Sequence, residues 1–199
     1  MHLRGFNGTE GGGVSAAPSR PAKTIALVGL MGVGKTSIGR RLAQRLGLPF
    51  VDADAEIEAA AQSSIEEIFE RHGETAFREG ERRVIARLLE NPPHVLATGG
   101  GAFMDPSTRA LLRARAVTIW LRADLELMLV RVQRRNNRPL LKGGDPRAVL
   151  ERLIAARYPI YAEADLTVDS VDGPPELTLE RALAALAAHD AAQARSVAP

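Results

Sequence analysis

The chain has 199 residues, 45% of them hydrophobic, with a formal net charge of +2. That is enough for one domain with a sizeable core, and too little charge to argue for a nucleic-acid partner. The absence of cysteine excludes disulfides, thiolate zinc sites and a cysteine nucleophile, which fits a reducing cytoplasm, and no run approaches the roughly eighteen apolar residues of a membrane span.

Met1 to Ala22 is rich in glycine, serine and proline. It has neither the apolar block of a secretory signal nor the arginine-rich character of a transit peptide, and it reads as a disordered tail over residues 1–22. Thr24 to Val28 is a buried strand by its apolar run. Gly29-Leu30-Met31-Gly32-Val33-Gly34-Lys35-Thr36 follows, and then a helix from Ser37 to Leu46 with Ile38, Leu42 and Leu46 on one face. Strand, glycine loop and helix are the context that a phosphate-binding loop requires. Glycines let successive backbone N–H groups of Gly32, Val33, Gly34 and Lys35 turn toward an anion, and the helix N-terminus at Thr36 and Ser37 adds partial positive charge. Lys35 then reaches the β- and γ-phosphates, and the Thr36 hydroxyl ligates Mg²⁺. The pattern predicts a nucleoside triphosphate ligand.

Beyond the loop, apolar runs alternate with helical stretches, the signature of an α/β sheet with parallel strands. A second strand runs through Phe50 and Val51 to Asp52. Helices are predicted over about Asp54–Ala61, Ser64–Arg71 (Ser64 and Glu67 forming a capping box) and Glu74–Glu90. A third strand, His94–Ala97, leads to Gly99-Gly100-Gly101. Asp105 caps a helix over Pro106–Ala114, Val117–Leu121 is a strand, and Asp124 caps a helix to about Arg134. The polar, glycine-bearing stretch over about 135–146 reads as a lid loop. A helix from Pro146 to about Tyr158 is expected to stop at Pro159. Leu166–Asp169 is the fifth strand, Pro175–His189 the closing helix, and 191–199 a flexible tail, so that one domain occupies residues 23–190.

Several residues are candidates for chemistry. Asp52 and Asp54 lie two apart at a strand end, placed either for one to hold Mg²⁺ through water and the other to accept a proton, or for Asp54 to cap a helix beside a solvated Asp52. The triple glycine suits either a ligand pressed against bare backbone or a tight turn. Arg78 and Glu81 share a helix face, and by spacing alone they read as a surface ion pair. Arg138 and Arg157 are candidates for phosphate and substrate contacts. Tyr161 reads as packing.

Taken together, the phosphate loop, Asp52-Ala53-Asp54, Phe77-Arg78 with Glu81, Leu96-Ala97-Thr98-Gly99-Gly100-Gly101, Arg138-Pro139-Leu140-Leu141 and Arg157-Tyr158-Pro159-Ile160-Tyr161 resemble shikimate kinase in order and spacing, over about Lys23 to Asp169. The resemblance implies a three-layer α/β/α P-loop kinase fold with a five-stranded parallel sheet and a mobile lid. It implies ATP and shikimate as ligands, Mg²⁺ as cofactor, and a cytoplasmic monomer. Lys35, Asp54 and Arg138 are then catalytic, with Arg138 the lid arginine that swings onto ATP. Gly32, Val33, Gly34, Lys35, Thr36, Ser37, Arg131 and Arg138 bind ATP, Arg131 lying against adenine. Arg78 and Arg157 grip the shikimate carboxylate, Asp54 takes the acceptor hydroxyls, Gly99, Gly100 and Gly101 face the substrate with Gly100 a backbone donor, and Glu81 orients arginine. Thr36 and Asp52 serve the metal, Asp52 indirectly. The alternatives are a P-loop kinase of another hydroxylated acceptor such as gluconate, and a nucleotide-binding relative without activity.

Overall fold

A computed structural model describes residues 21–133 and 145–197. The expected N-terminal tail up to residue 20, residues 134–144 with most of the expected lid (about 135–146) and Arg138, and residues 198–199 lie outside the described residues; Asp145 and Pro146, at the end of that stretch, cap and begin a helix. The strands are β1 (Thr24–Val28), β2 (Phe50–Asp52), β3 (Val95–Ala97), β4 (Ala116–Arg122) and β5 (Leu166–Asp169). They form one parallel sheet in the order β2-β3-β1-β4-β5. The helices are α1 (Lys35–Leu46), α2 (Ala53–Ala61), α3 (Ile65–Leu88), α4 (Pro106–Arg115), α5 (Leu125–Gln133), α6 (Pro146–Tyr161) and α7 (Pro175–Val197), with a 3-10 turn at Ala102–Met104.

The centre of the sheet is dictated by the sequence. All five residues of β1 are buried, because helices cover both faces of a parallel sheet and its strands become continuous apolar runs. Helix α1 packs over β1, β2 and β3 and against α7, while α5 packs on α6 and α4 on β4. The register places Leu27 and Asp52 on either side of Ala97. As a result the loops after β1, β2 and β3 leave the sheet side by side at its carboxyl edge. The chain goes from β1 past β3 to β2 and later from β3 across to β4, and such a switch opens a crevice beyond the strand ends.

Gly39, on the inner face of α1, shows how tightly this layer closes. A Cβ there would lie 2.6 Å from the Phe50 ring and 3.1 Å from Leu27 Cδ1. Gly39→Ala is therefore expected to destabilise the fold by about 1–2 kcal/mol, with overpacking outweighing the better helix propensity of alanine. A denaturant melt checks this, and an unchanged or raised midpoint would refute it.

The expected helices over Ser64–Arg71 and Glu74–Glu90 join as α3, but Gly73 inside it is non-helical (φ 77°, ψ 176°), so two helical stretches meet there. The Phe69 and Phe77 rings pack across the break at 4.5 Å. The Ser64–Glu67 capping box and the Asp105 cap both form. Most boundaries move by one or two residues, and two helix ends move further. Helix α6 passes through Pro159 to Tyr161, because burial of the Tyr161 ring against Phe103 and Trp120 outweighs the backbone hydrogen bond that proline removes. Helix α7 runs on to Val197 rather than His189, so residues 191–197, expected in the tail, are helical; Ala191, Ala192, Gln193, Ala194 and Arg195 are mostly strong helix formers.

Candidate active site

The loop between β1 and α1 turns on glycines with positive φ, 137° at Gly29 and 102° at Gly34, a region that side chains with a Cβ avoid. Gly29 also lies against β4, where a Cβ would be 2.6 Å from Leu121 O. Lys35 Nζ reaches back across the loop to donate to Gly29 O (2.7 Å) and Leu30 O (2.9 Å). Its positive end is thus held over the loop that its own helix opens. Ser37 is half-buried, its hydroxyl taken by Arg41 at 3.0 Å.

The helix cap forms, but on Asp52 rather than on Asp54, because β2 ends at Asp52 and α2 begins at Ala53. Asp52 caps α2 by accepting from Asp54 N at 3.1 Å, and its second oxygen accepts from Thr36 Oγ1 at 2.9 Å. The cap is therefore also what aligns a carboxylate with the loop hydroxyl. Asp54 sits in the first turn of α2 and points toward Gly99, where a Cβ would lie 2.7 Å from Asp54 Oδ1 and 2.8 Å from Glu81 Oε1. Burial, with the Asp52 charge beside it, raises the Asp54 pKa above the ordinary aspartate value, while Lys35 and Arg78 pull the other way.

Arg78 and Glu81 are not the surface pair that spacing alone suggested. The Glu81 side chain is 2% exposed and accepts from Arg78 Nη1 at 2.7 Å, and Glu74 holds the other side of the guanidinium at 3.3 Å. Glu81 Oε1 is buried and finds no hydrogen-bond partner among the described residues. Burial raises the Glu81 pKa against the pull of Arg78. Burial also works against the Arg78 charge, but its bonds to Glu81 and Glu74 hold its pKa above the usual arginine value. The guanidinium occupies the space a Cβ at Gly101 would need, so the third glycine is what lets Arg78 lie along the backbone.

Arg157, near the end of α6, donates from Nη1 to Gly100 O at 3.0 Å. A Cβ at Gly100 would be 3.3 Å from Met31 N, which puts the triple glycine directly beside the phosphate loop. Asp54, Glu81, Arg78, Gly99, Gly100, Gly101 and Arg157 therefore surround one spot next to Lys35 and Thr36. Arg131 stands apart, behind the phosphate loop. It donates to Val33 O (3.1 Å), Ser170 Oγ (2.8 Å) and Val171 O (2.8 Å), and burial lowers its pKa. The expectation for Arg131 named adenine alone; its bonds here are to the protein. Ser170 Oγ donates in turn to Val33 O at 3.1 Å. Sequence reading missed Ser170, Val171 and Glu74. Their one signal was position, two of them directly after β5 and the third one turn before Arg78.

A parallel sheet in this order, whose central strand feeds a Gly-Lys-Thr loop into α1, defines a P-loop kinase. The family profile of shikimate kinase matches residues 31–187. A shikimate kinase of Paramagnetospirillum magneticum is 63% identical over 167 residues, covering 84% of this chain and 86% of that one. One from Caulobacter vibrioides is 63% identical over 170 residues, covering 85% and 84%. The solved structure of a shikimate kinase from Acinetobacter baumannii in complex with shikimate is similar with a TM-score of 0.80 at 38% identity, covering 85% of this chain and 96% of that chain. The chain belongs to the shikimate kinase family.

Proposed function

We propose that the chain transfers the γ-phosphoryl group of ATP to the 3-hydroxyl of shikimate, giving shikimate 3-phosphate and ADP. One observation carries the reading. Two arginines and one carboxylate converge on a bare glycine backbone beside the phosphate loop. A small ring acid has the matching features, an anionic carboxylate at one end and hydroxyls at the other. The planar forks of Arg78 and Arg157 bind the carboxylate, and Asp54 then receives the hydroxyl that attacks.

Transfer of this kind is mainly positioning and charge neutralisation. The loop amides and Lys35 hold the phosphates, and Asp54 orients the hydroxyl and accepts its proton as the bond to phosphorus forms. Arg138 is assigned to the lid by family resemblance and adds a cation over the transferring group. A hydroxyl and a carboxylate oxygen 2.9 Å apart, Thr36 Oγ1 and Asp52 Oδ2, suit Mg²⁺, which takes few protein oxygens and keeps water and phosphate for the rest. Thr36 would ligate it directly and Asp52 through water, and when bound it neutralises phosphate charge. Among the described residues no helix is long and apolar enough to cross a membrane, and we place the enzyme in the cytoplasm as a monomer.

ADP release measured with shikimate, gluconate and AMP tests the reading. Turnover is expected with shikimate and only background with the other two. Turnover with gluconate or AMP alone would replace the acceptor, and none with any of them would leave a nucleotide-binding relative.

A further inference from the structure

Tyr161 is the last residue of α6 and is fully buried. It stands one helical turn after Arg157, and its hydroxyl donates to Gly100 O, the same carbonyl that Arg157 Nη1 bonds. The neighbouring carbonyls are also engaged from within. Gly99 O accepts from Ala102 N at 3.3 Å and Gly101 O from Met104 N at 3.0 Å. A planar trans peptide points its N–H opposite to its C=O. Drawing the Gly100 carbonyl toward α6 therefore fixes the plane that carries the Gly101 N–H and turns that donor away from α6.

We propose that Tyr161 is a positioning residue for the acceptor, holding the glycine backbone and Arg157 in the arrangement that receives the substrate carboxylate. The proposal rests on the acceptor reading given above. Three features support it. First, the Tyr161 ring is set by stacking on Phe103 (6.2 Å) and Trp120 (6.0 Å), so its hydroxyl has a fixed origin. Second, Pro159 lies between Arg157 and Tyr161 and removes a helix hydrogen bond. The end of α6 is tied down by side chains, Tyr158 donating to Ala123 O and Tyr161 to Gly100 O. Third, a carbonyl left without a donor in a buried setting is costly. With Tyr161 on Gly100 O, Arg157 can turn its fork to a substrate carboxylate without stranding that oxygen; with phenylalanine in its place, Arg157 is the partner left to the carbonyl among the described residues and is held back from the substrate.

Tyr161→Phe keeps the ring and removes the hydroxyl. Steady-state kinetics are expected to show a rise of about five-fold in KM for shikimate, the effect of one hydrogen bond, with KM for ATP within about two-fold of wild type. Should the phenylalanine variant not fold, Tyr161→Met, which also lacks the hydroxyl and adapts to irregular packing, is expected to give the same split. A purely structural role would lower the melting temperature and leave both KM values in place, or move them together. Either result in a folded variant, against a wild type that uses shikimate, overturns the role of Tyr161 alone. A wild type with no shikimate turnover removes the acceptor reading and this inference with it.

Discussion

Asp54→Asn is expected to lower kcat for shikimate phosphorylation by about 10²–10⁴-fold, the range for loss of a positioned acid–base group, with ATP binding close to wild type. The carboxylate points to the bare backbone at Gly99, beside both the phosphate loop and Arg78. Asparagine keeps its size and its place in α2 but cannot take a proton. The same substitution is expected to raise the melting temperature of the ligand-free protein in the presence of a chelator. Burial and Asp52 hold the folded-state pKa of Asp54 above 3.8. A carboxyl shifted in that direction adds stability that is complete below its unfolded pKa and lost as pH rises through the folded value. At neutral pH the ionised Asp54 is therefore a cost to the fold, and asparagine relieves it. The gap between variant and wild type should narrow as pH falls toward and below the ordinary aspartate range. A site that gives up stability for reactivity predicts this opposition of lower rate and higher melting point. Near-normal kcat in Asp54→Asn would take Asp54 out of the chemistry, and a lowered melting point would show that its charge is compensated.

Much of this site is legible in the sequence, and the exceptions have a common cause. The five strands and the phosphate loop were read from local pattern: β1 and β5 fall on the predicted residues because apolar runs end at a glycine or a polar turn. The caps at Ser64 and Asp105 were legible for the same reason, since a cap is made by residues three apart. Spacing also put Arg78 and Glu81 on one face of a helix. It could not show that the face turns inward, because the layer packed on α3 is built by α2, the glycine run, the 3-10 turn and α4, elements outside its own stretch of sequence. Pro159 misled for a related reason. Proline disfavours helix locally, and only the packing of Tyr161 against Phe103 and Trp120 shows why α6 continues. Ser170 and Val171 gave no signal beyond their place directly after β5, since their role is to meet Arg131 and Val33, which lie far from them in the chain. Composition of residues 191–197 favoured helix, and their reading as tail gave too much weight to position near the end of the chain.

Alanine at Arg78 or at Arg157 is expected to reduce kcat/KM for shikimate by about 2–5 kcal/mol, with little change in KM for ATP, because each removal leaves an anion poorly paired. The two variants should separate in stability. Arg157 donates to a backbone carbonyl that Tyr161 also holds, so its loss leaves Gly100 O satisfied and the fold nearly unchanged. Arg78 neutralises Glu81, whose side chain is 2% exposed and whose Oε1 already lacks a partner. Its loss strands a buried carboxylate and is expected to destabilise by about 1–3 kcal/mol, less than for a fully enclosed pair because the Arg78 side chain keeps 27% exposure. The deficit has a pH signature. Burial already lifts the Glu81 pKa against the pull of Arg78, and without Arg78 it rises further. A raised carboxyl stabilises at low pH and loses that contribution as pH rises, so Arg78→Ala should lag wild type most at neutral and alkaline pH and recover toward it in acid. Adding Glu81→Gln to Arg78→Ala removes the stranded charge and should return most of the melting temperature, while kcat/KM for shikimate stays low. If the double variant regained shikimate affinity along with stability, the binding defect of Arg78→Ala would be a consequence of misfolding, and Arg78 would lose its place in the carboxylate clamp.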